Sequence, residues 1–235
     1  MSKTLFFFVK VFDNKKYADD FMKGKLFANR LSFFKKLEEK AEANRGDRHE
    51  GVLSWHQKDD IELMINGRLI TELAGPVITR MNWHDHLNIF CVYSGHSGDF
   101  NSVDCDNLSS LKKQLEIPSD CLELGQYAVV VTKVNEFLER VKLAIEKSGY
   151  GLSAGLVNYY DPESFSGYFS EENAVFNKHR EYEHQREYRF AIDTGTEGEE
   201  AITLDVGDIS DITMLCNTAD FNKLLEIKLP ELDEA

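Results

Sequence analysis

The sequence predicts a single mixed α+β domain, and three observations carry that reading. Runs of aromatic and β-branched residues are interspersed with apolar stripes at helical spacing. Asn66 and Gly67 sit between two alternating runs, the signature of a tight antiparallel hairpin. No internal repeat and no Pro-, Gly- or Ser-rich linker divides the 235 residues, a length that one elaborated domain can fill.

Taken in order, residues 4–12 read as a strand that Asp13 and Asn14 break. "NKKYADDFMKG" follows as a short helix closed by Gly24, with Tyr17, Phe21 and Met22 as its apolar stripe. "KLFANRLSF" is extended, and Ser32 is placed to cap the helix "FFKKLEEKAEA", whose Phe33, Phe34 and Leu37 face inward. The charged loop "NRGDRHEG" (44–51) precedes the hairpin "IELMINGRLITEL". Further strands are expected at 88–94, 127–132, 156–160, 186–192 and 201–206, and helices near 107–116, 134–148, 170–177 and 218–226.

Forty-one acidic against 27 basic residues give a formal net charge of −14. That balance repels a nucleic-acid backbone at long range, so a nucleic-acid substrate needs a local basic groove. Much of the excess lies in "TGTEGEE" (194–200) and in an acidic tail, "PELDEA" (230–235). Cys91, Cys105, Cys121 and Cys216 form no close pair, which signals neither a zinc knuckle nor a redox motif and suits reduced thiols. "TLFFFVKVF" is too short for a membrane span and lacks a signal peptide's basic start, so a cytoplasmic location with no membrane partner is expected.

Several residues could carry chemistry. On a strand through 186–192, Gln185, Glu187 and Arg189 would line one side while Arg186, Tyr188, Phe190 and Ile192 line the other. The polar side is built to meet either solvent or a substrate. Tyr93 and Ser94 end the 88–94 strand beside "GHSGDF", a hydroxyl next to a glycine-containing loop or simply an ordinary turn. Arg30, set among apolar residues, needs a carboxylate in a structural ion pair or a phosphate to clamp. His84, Asp85 and His86, and likewise Asp47, His49 and Glu50, are of types that could hold a divalent metal for phosphodiester hydrolysis, solvated loops being the plainer reading.

Arg30, Ser94 and Gln185-x-Glu187, in that order, resemble the arginine, serine, glutamate signature of mono-ADP-ribosyltransferases. A second, looser resemblance is to bacterial proteins with "RGD..EG" early and "F.K...YE.Q.EYRF" late, here Arg45 to Gly51 and then Phe176, Lys178 and Tyr182 to Phe190. The first resemblance implies a split, strongly bent, mainly antiparallel sheet over one domain spanning 1–235, with NAD as substrate in its cleft. It also implies roles: Arg30 on an NAD phosphate, Tyr93 and Ser94 seating the nicotinamide half, Glu187 stabilising the developing ribosyl cation, and Gln185 aligning the acceptor. No metal is implied. The acceptor it suggests is an RNA or DNA base ahead of a protein, in a toxin or phage-defence effector accompanied by an antitoxin and a chaperone. The alternatives are a metal-dependent nuclease or phosphodiesterase, and a non-catalytic module that docks a partner chain.

Overall fold

A computed structural model describes residues 3–39 and 48–229. The architecture is mixed α and β, and every pairing in its main sheet is antiparallel. The sheet is built on one central strand, Asn88–His96. One edge of that strand pairs with Glu187–Asp193, which pairs in turn with Gly151–Leu156.

The other edge is shared between two strands. Asn88 and Ile89 pair with Arg30 and Asn29 of Lys25–Arg30, and beyond that strand lies Ile202–Asp205. Tyr93 to His96 pair instead with Val9 to Leu5 of Leu5–Phe12, and that arm continues through Tyr127–Val131 to Thr213–Asn217. Between the two arms, Phe90, Cys91 and Val92 have no strand partner on this edge among the described residues, so the sheet splits there. Lys10 Nζ reaches into the split and donates to the Cys91 carbonyl at 2.6 Å.

One face of the sheet carries the main core. Val134, Phe137, Val141, Ala144 and Ile145 recur at helical spacing along Val134–Ser148 and pack on Phe8, Phe90, Val92, Phe190 and Ile192. Gly149, at φ 70° in the left-handed region, ends that helix. The opposite face is covered only in two patches. Val9, Tyr93, Ile117 and Cys121 form one, and Leu31, Ile89, Phe176 and Ala191 the other. The sheet lies open between them.

The local expectations fare unevenly. The strand Leu5–Phe12, the helix Val134–Ser148 and the Asn66-Gly67 turn, both residues at positive φ, are found where expected. In Lys15–Met22 the buried stripe is Ala18 and Phe21, and Tyr17 points outward. Ser32 caps nothing, because the helix Leu31–Glu39 starts directly from the strand; Leu31 faces inward and Phe33 is exposed. The 170–177 segment is a 3-10 turn, Glu171–Phe176, and 218–226 is a 3-10 turn followed by the single helical turn Phe221–Leu224. Residues 156–160 split between Gly151–Leu156 and the separate strand Asn158–Tyr160. "PELDEA" and residues 40–47, with Arg45, Gly46 and Asp47, lie outside the described residues.

Candidate functional site

The strand expected at 186–192 begins one residue late, and that shift builds the site. Arg180–Gln185 is a 3-10 turn, Arg186 is left-handed at φ 39°, and the strand runs Glu187–Asp193. Gln185 therefore is not on the strand that carries Glu187. It reaches the same centre by another route. In a 3-10 turn, positions three apart eclipse, so Tyr182 and Gln185 face the same way, onto Lys178. The Lys178 ammonium lies 4.8 Å from the Tyr182 ring centroid and donates to Gln185 Oε1 at 2.7 Å.

Lys178 also donates to Glu187 Oε1 at 2.7 Å. The other oxygen, Oε2, takes the Arg189 guanidinium at 2.9 Å, two residues along the same strand face. Arg189 binds Glu50 through two parallel bonds of 2.6 and 3.0 Å, the fork geometry that suits a carboxylate. A further Arg189 bond, 2.6 Å, goes to the Val175 carbonyl. Lys178, Glu50 and Arg189 are each no more than 2 % exposed and Glu187 9 %. Two cations and two carboxylates thus balance in a buried cluster.

Electrostatics fix the charge states. Burial would raise the Glu187 pKa, but Lys178 and Arg189 outweigh it and hold the carboxyl well below the usual carboxylate range. Burial would lower that of Lys178, and Glu187 and Glu50 reverse this, keeping the ammonium charged. The thiol of Cys91, the register partner of Arg189, is pushed up to about 12 by burial and then by the Glu187 charge.

This cluster forms the floor of a groove of about 1180 Å³ on the open face of the sheet. Lys10 stands at the split, and Phe27 and Phe33, both exposed, line the wall. Glu187, Gln185 and Tyr93 all border the groove. Tyr93 turns its hydroxyl away, donating to the Glu116 carbonyl at 3.1 Å and accepting from Arg186 at 3.3 Å.

Ser94 and Arg30 do other work. The Ser94 hydroxyl donates to the Arg186 carbonyl at 2.8 Å, and its amide donates to the same oxygen at 2.9 Å. Ser94 therefore clamps the left-handed residue that precedes Glu187. Arg30 pairs in register with Asn88 and Glu187 with Tyr93. Five residues along the central strand is about 17 Å at the strand rise, and the odd offset puts the two side chains on opposite faces. Arg30 is buried and donates to the His86 carbonyl and, at 2.9 Å, to Thr196. The expected convergence of Arg30, Ser94 and Glu187 on one concave site is not what this geometry gives.

The metal-type clusters are also dispersed. Asp85 pairs with Lys35, Glu50 is held by Arg189, and His49 stacks on His179 with ring centroids 4.5 Å apart. Among the described residues no group of three or more His, Cys, Asp or Glu is arranged to hold a metal, and no helix is long and apolar enough to cross a membrane. The four cysteines are free.

Sequence reasoning weighed Glu187 and Gln185 but gave no role to Lys178, Arg189 or Glu50 as a cluster. A signal was present: Glu50 is the glutamate of "RGD..EG", while Lys178, Gln185, Glu187 and Arg189 lie in "F.K...YE.Q.EYRF". The two halves of that pattern meet in one network. Comparison with family models, curated proteins and solved structures finds no match.

Proposed function

We propose that this chain is an NAD-dependent mono-ADP-ribosyltransferase whose reaction centre is the groove floor, with Glu187 facing the ribose and Gln185 beside it toward the acceptor. The observation that carries the reading is the Glu187 carboxylate, held ionised and fixed through both oxygens at the bottom of an open groove where the sheet splits. Breaking the bond between nicotinamide and ribose leaves positive charge on the sugar, and a preorganised carboxylate stabilises it. Lys178 donates to one of its oxygens and Arg189 to the other, and the acceptor positions that remain are those a ribose hydroxyl would use. The groove has room for a dinucleotide, and exposed Phe27 and Phe33 offer faces on which flat rings stack.

Arg30 has no part in this reading, since its guanidinium is spent on the far face; Lys10 and Lys25 both line the groove and are cations that a phosphate there would meet. An RNA or DNA base ahead of a protein as acceptor, a toxin or phage-defence role with antitoxin and chaperone partners, and a cytoplasmic setting rest on the resemblance alone. Purified protein incubated with NAD should release nicotinamide, with or without EDTA. Loss of all activity in EDTA, restored by magnesium or manganese, would favour a nuclease.

One observation favours a second reading. The four buried charges cancel, and such a cluster also serves as a brace that shapes a non-catalytic groove for a partner chain. In that case NAD is neither bound nor consumed.

A further inference from the structure

Glu187 borders a second cavity, of about 460 Å³, on the other side of its strand end. Among the described residues it is the one that lines both spaces. Arg186 and Pro118 belong to the smaller cavity, while their chain neighbours Gln185 and Ile117 belong to the groove, so at these two points the chain passes from one space to the other.

The hydrogen-bonding polarity of the smaller cavity is fixed at three points. His96 is 8 % exposed, and its Nδ1 accepts from the Gly98 amide at 3.0 Å, which puts the ring proton on Nε2. Burial, then Lys3 and Arg186, lower its pKa to about 4, so the ring is neutral at pH 7. Tyr159 accepts the Glu187 amide at 2.9 Å, and burial and the Glu187 charge keep it a phenol, leaving its hydroxyl proton to donate. Arg186, tied through one nitrogen to the Gln114 carbonyl and Tyr93, has further N–H groups.

Acceptors face these donors. Asp99 and Glu183 line the cavity against Lys3 and Arg186, while the Glu187 carboxylate is turned to Lys178 and Arg189. The charged lining therefore balances, which disfavours a phosphate or another multiply charged anion. Leu156, Val157 and Pro118 supply apolar wall. Fixed donors, carboxylate acceptors, apolar sides and no net charge match an uncharged hydrogen-bonding ring.

We infer that this cavity is a second binding site, separate from the groove, that takes an uncharged heterocycle of the nucleobase type. Binding there does not depend on NAD. The inference goes beyond the transferase reading, and the two fail separately because the test contains no NAD.

The test titrates adenosine, guanosine, cytidine, uridine and a short single-stranded oligonucleotide of mixed sequence into the isotope-labelled full chain and follows amide shifts. At least one nucleoside should shift the amides of His96, Gly98, Tyr159 and Arg186, and His96→Leu should weaken that binding about fivefold, as the loss of one neutral hydrogen bond does. If His96→Leu does not melt cooperatively, Tyr159→Phe carries the same expectation. Binding of the oligonucleotide alone, still weakened by these variants, would place the base within a strand and sustain the inference. Shifts confined to the groove around Phe27 and Phe33, saturable binding of inorganic phosphate in this cavity, unchanged affinity in the variants, or no shift up to about 10 mM of any probe would each overturn it.

Discussion

Lys178 and Glu187, nine positions apart, meet at 2.7 Å in a pair that solvent scarcely reaches. Removing one partner of such a pair leaves an undercompensated buried charge. Lys178→Met should therefore cost about 3–5 kcal/mol of unfolding free energy. Lys178→Met combined with Glu187→Gln should recover part of that loss, because the orphaned carboxylate goes with it. Urea denaturation of both single variants and the double variant measures the coupling. Additive losses would mean that the pair does not act as a unit.

Acid should weaken the fold in two stages. His49 and His96 are held near pKa 4 in the folded chain against 6.5 for a free imidazole, His49 first by burial and then by His179 and its neighbouring arginines. A depressed folded pKa contributes stability above the unfolded value that is lost as pH falls toward the folded one, here between 6.5 and about 4. Glu187, also depressed, adds its loss below its unfolded pKa of about 4.3. Lys178 has the opposite sign: its contribution is complete below about pH 10.4 and is lost as pH rises through its raised folded pKa. Melting temperature against pH should show a neutral plateau, a first decline beginning near 6.5 and a steeper one below about 4.3. His96→Gln should shrink the first decline, and a flat profile down to pH 4 would contradict this.

Ser94→Ala separates a structural duty from a nicotinamide seat. The variant loses the hydroxyl bond to the Arg186 carbonyl but keeps the amide bond to the same oxygen, so about 1 kcal/mol of stability should go. NAD affinity should barely change. A tenfold weaker NAD complex with an unchanged melting temperature would return Ser94 to the ligand.

Arg30→Met makes the same division at the other end of the central strand. Charged hydrogen bonds to the His86 carbonyl and to Thr196 disappear, and stability should fall by about 1.5–3 kcal/mol or more. Isothermal titration should find NAD affinity in the refolded variant within about twofold of wild type, where losing a phosphate clamp costs tenfold or more.

Local patterns specify much of the fold. Leu5–Phe12, Val134–Ser148 and the Asn66-Gly67 turn announce themselves through composition, helical spacing and turn chemistry. Gly151–Leu156, "GLSAGL", has little β character, and its pairing with Glu187–Asp193 is what holds it extended. Thr213–Asn217 likewise owes its state to Tyr127–Val131.

At the site, the polar side of the "HQREYRF" segment was legible and its geometry was not. A strict alternation through Gln185 misses the left-handed Arg186, a conformation that a non-glycine residue adopts only when its surroundings hold it. Ser94, Gln114 and Tyr93 provide that hold from more than 70 positions away. Arg30 reads as a phosphate clamp until the 194–200 loop is seen to bring Thr194 and Thr196 over it.

The most direct test of the groove-floor account is the rate of nicotinamide release from NAD by wild type, Glu187→Gln and Gln185→Ala. Each is corrected for its folded fraction, because Glu187→Gln also removes a charge from Lys178 and Arg189. Incorporation of labelled ADP-ribose into cellular RNA, DNA and protein is read in parallel. Glu187→Gln should lower both release and incorporation about a hundredfold or more. Gln185→Ala should depress incorporation while slow release to water largely persists. Full release by correctly folded Glu187→Gln, or no release by wild type with any acceptor, would contradict the account.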